Sequence, residues 1–160
     1  MPDPAGLLER FRRGAELLSV ATTGASNPEL DHVSGPGKWS ARQIACHLAD
    51  SECVGAMRFR QILAEDNPTL IWYDEQRWAD RLGYNQRKIA TILETFRRIR
   101  ADNYDLLKDL PEEAWLRAGI HSTRGRLTLL DLLAEYAAHA ENHAKQILAA
   151  RQAYKDSRQS

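Results

Sequence analysis

Four segments of this chain carry apolar residues at helical spacing, and no stretch shows a convincing two-residue alternation of a strand. The pattern predicts an all-α protein. A first helix is expected over residues 5–21, with Leu7, Leu8, Phe11, Ala15 and Leu18 on its apolar stripe. The second begins after Ser40, an N-cap whose partner three residues on, Gln43, completes a capping box. Its inner face reads Ile44, His47, Leu48, Ser51, Val54 or Gly55, Arg58 and Ile62. Asn67-Pro68 closes it, because the residue before a proline is pushed out of helical space. A third helix is expected over residues 85–110, on the stripe Ile89, Ile92, Leu93, Phe96, Ile99, Leu106, Leu107 and Leu110. The fourth starts near Thr128, with Asp131 as a second capping box. Its face reads Leu129, Leu132, Leu133, Tyr136, His139, Ala140, His143, Ile147 and Ala150.

The breaks are long. Gly24, Asn27, Pro28, Gly35, Pro36 and Gly37 mark the first. Residues 67–84 form the second and hold Trp72, Tyr73, Trp78 and Tyr84, which read equally well as a binding wall or a core plug. A connection of that length can cross the bundle instead of returning the next helix beside the last. Pro111 opens a short turn at 112–115, and a Gly- and Arg-containing loop is expected over 117–127. With no internal repeat, residues 1–154 read as a single four-helix bundle domain with a long crossover connection, and 155–160 as a polar C-terminal tail.

Charge narrows the partners. Lys+Arg number 22 and Asp+Glu 22, so the basic excess of a nucleic-acid backbone binder is missing. A nucleic-acid role would need Arg117, Arg124 and Arg126 to join in one patch. No run of 18 apolar residues exists to span a membrane. Met1-Pro2-Asp3-Pro4 lacks the plan of an export signal. Cys46 and Cys53 are seven apart on one predicted helix, about 10 Å along its axis, too far for a disulfide between them. The expectation is a reduced, cytoplasmic protein with no membrane or nucleic-acid partner.

The five histidines divide unevenly. His139 and His143, at i and i+4, share one helix face, where they can share one ion. His47 lies on the apolar face of another helix. Three neutral imidazoles from two helices make half of an octahedral site or three corners of a tetrahedron, with positions left open for chemistry. Their softness suits Zn, Ni or Fe. The plainer alternative is a chance pair and a hydrogen-bonded core histidine, although burying three imidazoles without a partner is costly. His139-Ala140-Glu141-Asn142-His143 is not the H-E-x-x-H of zinc proteases, and Glu141 points away from both imidazoles. No Glu-x-x-His involves these residues, which sets aside a di-iron carboxylate bundle. Glu135 and Asp50 read either as acceptors that orient an imidazole or as ordinary helix-face charges. Cys46 reads as a small core residue, and His32 and His121 as surface or structural residues. No nucleophile signature or phosphate-cradling glycine loop is present.

At these residues the chain resembles a known family. Lys38-Trp39-Ser40-Ala41-Arg42-Gln43-Ile44 through His47-Leu48-Ala49-Asp50, followed by His139-x-x-x-His143, is similar to the DinB/YfiT-like superfamily of metal-binding four-helix bundles. So are Ile62-Leu63-Ala64-Glu65-Asp66-Asn67-Pro68 with Tyr73-Asp74, Trp78 and Leu82-Gly83-Tyr84, and the loop from Gly119 and His121 to Gly125. The resemblance implies a bundle with a crossed connection and a divalent metal ion held by His47, His139 and His143, with water completing the coordination. It also implies a homodimer acting on a small-molecule substrate. Relatives include thiol S-transferases that use a low-molecular-weight thiol cosubstrate, such as bacillithiol or mycothiol, and metal-dependent hydrolases. The expected function is therefore a metal-dependent enzyme of transferase or hydrolase type, the alternative being a non-catalytic dimeric bundle that binds a metal or ligand.

Overall fold

The two histidine-bearing helices start where side-chain caps place them. Ser40 Oγ accepts from Gln43 N at 3.2 Å while Gln43 Oε1 accepts from Ser40 N at 2.9 Å. Thr128 and Asp131 make the same reciprocal pair, at 3.0 and 2.9 Å. Each box satisfies two orphan backbone donors and so sets the helix start. The structure, a computed structural model, describes residues 3–159. Met1 and Pro2 of the segment read for an export signal, and Ser160 of the polar tail, lie outside the described residues.

The long helices are α1 (Pro4–Thr22), α3 (Ala41–Ala64), α5 (Ile89–Leu107) and α6 (Leu129–Ser157), the last continuing past the point where the sequence turns polar. Short helices α2 (Asn27–Asp31) and α4 (Glu75–Arg81) and 3-10 turns at Tyr84–Gln86 and Glu112–Leu116 interrupt the connections. No described helix is long and apolar enough to cross a membrane.

Helices α1 and α3 each pack on both α5 and α6, so α1 lies diagonally opposite α3, and α5 opposite α6. Directions follow from which core each helix end enters. One apolar cluster gathers Leu18, Ile44, Leu48, Phe96 and Ile147; the other gathers Phe11, Phe59, Ile62, Leu107 and Leu133. By this ordering α3 and α5 run the same way, and α1 and α6 run the opposite way. The connection between the parallel neighbours α3 and α5 must therefore travel back along the bundle. Its residues record the path, with Leu70 in the second cluster and Ala79 and Tyr84 in the first. This is the crossover that the length of 67–84 predicts.

Midway between the two clusters runs a buried polar layer. Arg100 and Glu52 are each 1% exposed and paired in a fork, at 2.7 and 3.1 Å. The guanidinium also donates to the carbonyls of Phe11 and Tyr136, each at 3.1 Å, and lies over the Phe11 ring at 4.1 Å. Four hydrogen bonds and two ring faces surround this one side chain, which offsets much of its desolvation cost. Farther along α3, a Cβ at Gly55 would sit 2.6 Å from the Tyr136 ring. Glycine there lets the ring lie flat against the α3 backbone.

The loop expected at 117–127 is instead a small antiparallel hairpin, β1 (Ala118–His121) with β2 (Gly125–Thr128). His121 pairs with Gly125 across a three-residue turn, and Gly125 takes a φ of +75° that favours glycine. Strands this short, with Ile120 and Leu127 as their main apolar residues, leave almost no alternation to detect. The hairpin is anchored outside itself. Leu70 N donates to Ile120 O at 2.9 Å, and Ile120 N to Pro68 O at 2.8 Å. That bond pair brings the start of the crossover connection alongside β1.

Candidate metal centre

His47 lies two turns into α3 and is 1% exposed, with the Trp39 ring packed against it at 5.1 Å. His139 and His143 sit one turn apart on α6, their rings edge to face at 4.4 Å. Because α3 and α6 are antiparallel neighbours, the three imidazoles meet. His139 Nε2 lies 3.0 Å from His47 Nε2 and 3.0 Å from His143 Nε2. No fourth His, Cys, Asp or Glu among the described residues joins the group.

The protonation pattern suits a cation. His143 Nδ1 lies 2.7 Å from Gln146 Oε1, an acceptor, so the proton sits on Nδ1 and Nε2 offers its lone pair to the cluster. Burial is the main reason that His47 is pushed down to about 4 and His139 to about 2, with neighbouring imidazoles adding to it; burial also lowers His143. All three are thus neutral near pH 7, the form that ligates a metal. Lone pairs facing one another at 3.0 Å repel unless a proton or a cation lies between them, and one shared proton cannot satisfy three nitrogens. Two nitrogens each about 2.1 Å from one ion stand about 3.0 Å apart at a right angle, so the spacing fits a divalent metal. His47 Nδ1, buried with no hydrogen-bond partner, is the one unsatisfied atom of the group.

A pH dependence follows for the metal-free protein. An unfolded imidazole takes up a proton near pH 6.5, whereas the folded ones stay neutral well below that. As the pH falls below about 6.5, the unfolded state binds more protons and gains relative to the folded one. Chelated protein should hold its Tm above about pH 7 and lose it progressively between about pH 6.5 and 5, above the range where carboxylates protonate. A level Tm over that interval would contradict the buried, neutral cluster.

Other candidates are placed elsewhere. Glu135 does not orient His139; it accepts from Arg124 Nη1 at 2.6 Å. Asp50 is engaged by the Tyr84 hydroxyl and by Arg87, both at 2.8 Å, and not by His47. Glu141 turns outward to Arg10. Cys46 is fully buried in the core, and burial pushes its thiol up to about 12. His32 packs on Tyr154, away from the cluster. Arg117, Arg124 and Arg126 are each engaged locally, by backbone carbonyls or Glu135.

Of the two readings left for His121, surface or structural, its burial leaves the structural one. His121 is 6% exposed and lines a cavity of about 440 Å³ that opens beside His139. The hairpin, absent from the sequence reading, carries it there. The crossover supplies more of the wall: Trp72 and Tyr73 line the cavity, and the Trp78 ring packs at a tilt against Tyr73 at 4.5 Å. The aromatic connection thus divides, Trp72 and Tyr73 lining the cavity and Tyr84, 1% exposed, plugging the core. Arg58, legible in the sequence only as an oddity on an apolar face, completes the floor.

The sequence profile of the DinB superfamily matches residues 10–147. A protein of Oceanobacillus iheyensis, named as a candidate metal-dependent hydrolase, is 30% identical over 131 residues, covering 82% of this chain and 76% of that one. The solved structure of YfiT from Bacillus subtilis, titled as a candidate metal-dependent hydrolase of unusual four-helix bundle topology, superposes with a TM-score of 0.88 at 24% identity. It covers 93% of this chain and 86% of that one. A second four-helix bundle, TT2238, gives a TM-score of 0.64 at 20% identity, over 92% of this chain and 99% of its own.

Proposed function

The chain belongs to the DinB superfamily, and from that premise we propose that it is a divalent-metal-dependent enzyme acting on a small molecule, with His47, His139 and His143 as the metal ligands. The observation that carries this reading is the meeting of three neutral Nε2 atoms at the edge of a cavity. A divalent ion bound there would polarise a substrate and lower the pKa of a water or thiol, so hydrolysis and thiol transfer draw on the same site. Relatives named as metal-dependent hydrolases support the hydrolytic form.

The chain's own residues prepare the site. Gln146 holds the proton of His143 on Nδ1, which keeps Nε2 free as a ligand. Trp39 and the apolar face of α3 exclude water behind His47. Trp72 and Tyr73 give the cavity an aromatic side on which a substrate body can rest. A second reading, a metal that only staples α3 to α6, draws on the burial of His47 between those helices. Three protein ligands with none from a fourth acidic, thiol or imidazole group favour chemistry over a closed structural site.

Untagged protein is expected to carry about one divalent ion per chain, removable by chelation. The loaded protein should hydrolyse a member of an ester and amide panel, or join a thiol to an electrophile, and lose that activity when stripped. Full metal loading with no turnover in either screen, together with a Tm that drops on chelation, would establish the stapling role instead.

A further inference from the structure

The described residues include three buried arginines: Arg42, Arg58 and Arg100. Arg42 is paired with Asp31 and Arg100 with Glu52. Arg58 is 6% exposed and makes no ion pair with any described carboxylate. A buried cation without an ion-paired partner is costly, and here Glu52 is committed to Arg100, Glu135 to Arg124 and Asp74 to Arg77, while Glu75 lines the cavity without pairing with Arg58. The side chain is nonetheless held in place. Its Nε donates to Ile71 O at 3.0 Å and its Nη1 to the Tyr136 hydroxyl at 3.4 Å.

Its third partner is an imidazole and not a carboxylate. Arg58 Nη2 lies 3.3 Å from His121 Nε2. A guanidinium has no acceptor, so Nη2 donates to Nε2 of the neutral ring, whose proton sits on Nδ1, 3.2 Å from Thr123 Oγ1. Burial and the neighbouring arginines hold this imidazole below its usual range, which keeps it neutral. The guanidinium is thus held by three neutral acceptors, a carbonyl, a hydroxyl and an imidazole, and keeps its full charge. The Tyr136 hydroxyl, which accepts from Arg58, has its own proton to give. The guanidinium has two further N–H groups, and with the Tyr136 hydroxyl these are donors at the lining of the cavity that reaches His139.

We propose that Arg58, held by His121 and joined by the Tyr136 hydroxyl, binds the carboxylate of a small monoanionic substrate whose other end lies at the three-histidine cluster. The inference rests on the metal reading for the reacting end alone. A planar two-oxygen group matches the guanidinium fork. A single charge matches the one uncompensated cation, since Asp74, Glu75 and Glu135 around the cavity would repel a dianion. The Tyr136 ring, whose hydroxyl accepts from Arg58, stands between the guanidinium and His139, 6.2 Å from the His139 ring, so a carboxylate at Arg58 is a handle beside the cluster and not the reacting group. Binding energy gained at such a handle can position the reacting end. Trp72 and Tyr73 flank the space between them and suit an apolar or aromatic body.

The test uses benzoate, its neutral isostere benzamide, and inorganic phosphate as probes. Each is titrated by NMR into zinc-loaded and chelator-stripped protein, following the Arg58 Nε–H and Trp72 indole signals. Benzoate should bind both forms at least about tenfold more tightly than benzamide, the scale of charged hydrogen bonds. Arg58→Met should reduce benzoate to the benzamide level in both forms while leaving zinc content unchanged. Its Tm should hold or rise, because a buried charge without a partner has gone. Equal binding of benzoate and benzamide to the wild type overturns the proposal without reference to any variant. So does benzoate binding that survives Arg58→Met, or that occurs only with zinc present, which marks ligation to the metal. Phosphate binding more tightly than benzoate overturns the carboxylate assignment. A wild type that takes up no zinc overturns the metal reading, and the stripped-protein titration then decides this one independently.

Discussion

Replacing His139 with alanine is expected to abolish stoichiometric metal binding. His139 is the member of the cluster whose Nε2 lies 3.0 Å from both others, so its loss leaves His47 and His143 without their common neighbour. Zinc held by a small protein site contributes roughly 10 kcal/mol or more, and one ligand of three carries about a third of it. The affinity should therefore fall by roughly two orders of magnitude or more. Metal content after dialysis against a competing chelator measures the change. The fold should survive, because α6 is set by the Thr128–Asp131 box and by Leu132, Leu133, Ala137 and Ile147, none of which touches the imidazole's role. The metal-free variant should melt no lower than metal-free wild type by more than a cavity-sized cost, since the deleted ring faced other nitrogen lone pairs. Metal retained at full stoichiometry in His139→Ala would remove the basis of the proposed function.

The second large effect is on stability. Arg100→Met is expected to destabilise the protein by about 3–5 kcal/mol, because it strands the Glu52 carboxylate in the core and frees the carbonyls of Phe11 and Tyr136. Against a total of about 5–15 kcal/mol for a domain, this is enough to populate the unfolded state at physiological temperature. Denaturant titration should show a lower midpoint with an unchanged slope. The double variant Arg100→Met with Glu52→Leu should recover much of the loss, since the uncompensated charge is then gone. Arg58→Met supplies the contrast. Both arginines are buried, yet one is paired and the other is not, so the same substitution should have opposite signs at the two positions.

How far these features could be read from the chain varies with the range of the interactions behind them. The starts of α3 and α6 were legible because a capping box needs only four consecutive residues. The i, i+4 histidine pair was legible because helical periodicity alone puts both rings on one face. Placing His47 opposite them drew on its apolar face and on the family resemblance, and the meeting of the rings required α3 and α6 to be antiparallel neighbours. His121 read as a surface or structural residue because its hairpin holds two four-residue strands and owes its position to bonds with Pro68 and Leu70, some fifty residues earlier. Glu135 read as a possible imidazole partner on helix geometry alone, which carries no knowledge of Arg124 across the cavity.

Local spacing was sufficient for the number of long helices, their apolar faces and the His139–His143 pair, because each depends on residues within a turn or two of one another. The path that the 67–84 crossover takes along the bundle, the aromatic wall it builds beside His139, and the lack of an ion pair between Arg58 and any described carboxylate are of another kind. They depend on which surfaces meet across the whole fold. An arginine on an apolar face looks the same in sequence whether a glutamate waits opposite it, as for Arg100, or a cavity does, as for Arg58. Packing distinguishes the two cases, because the cost of burying a charge is set by what lies within a few ångströms of it.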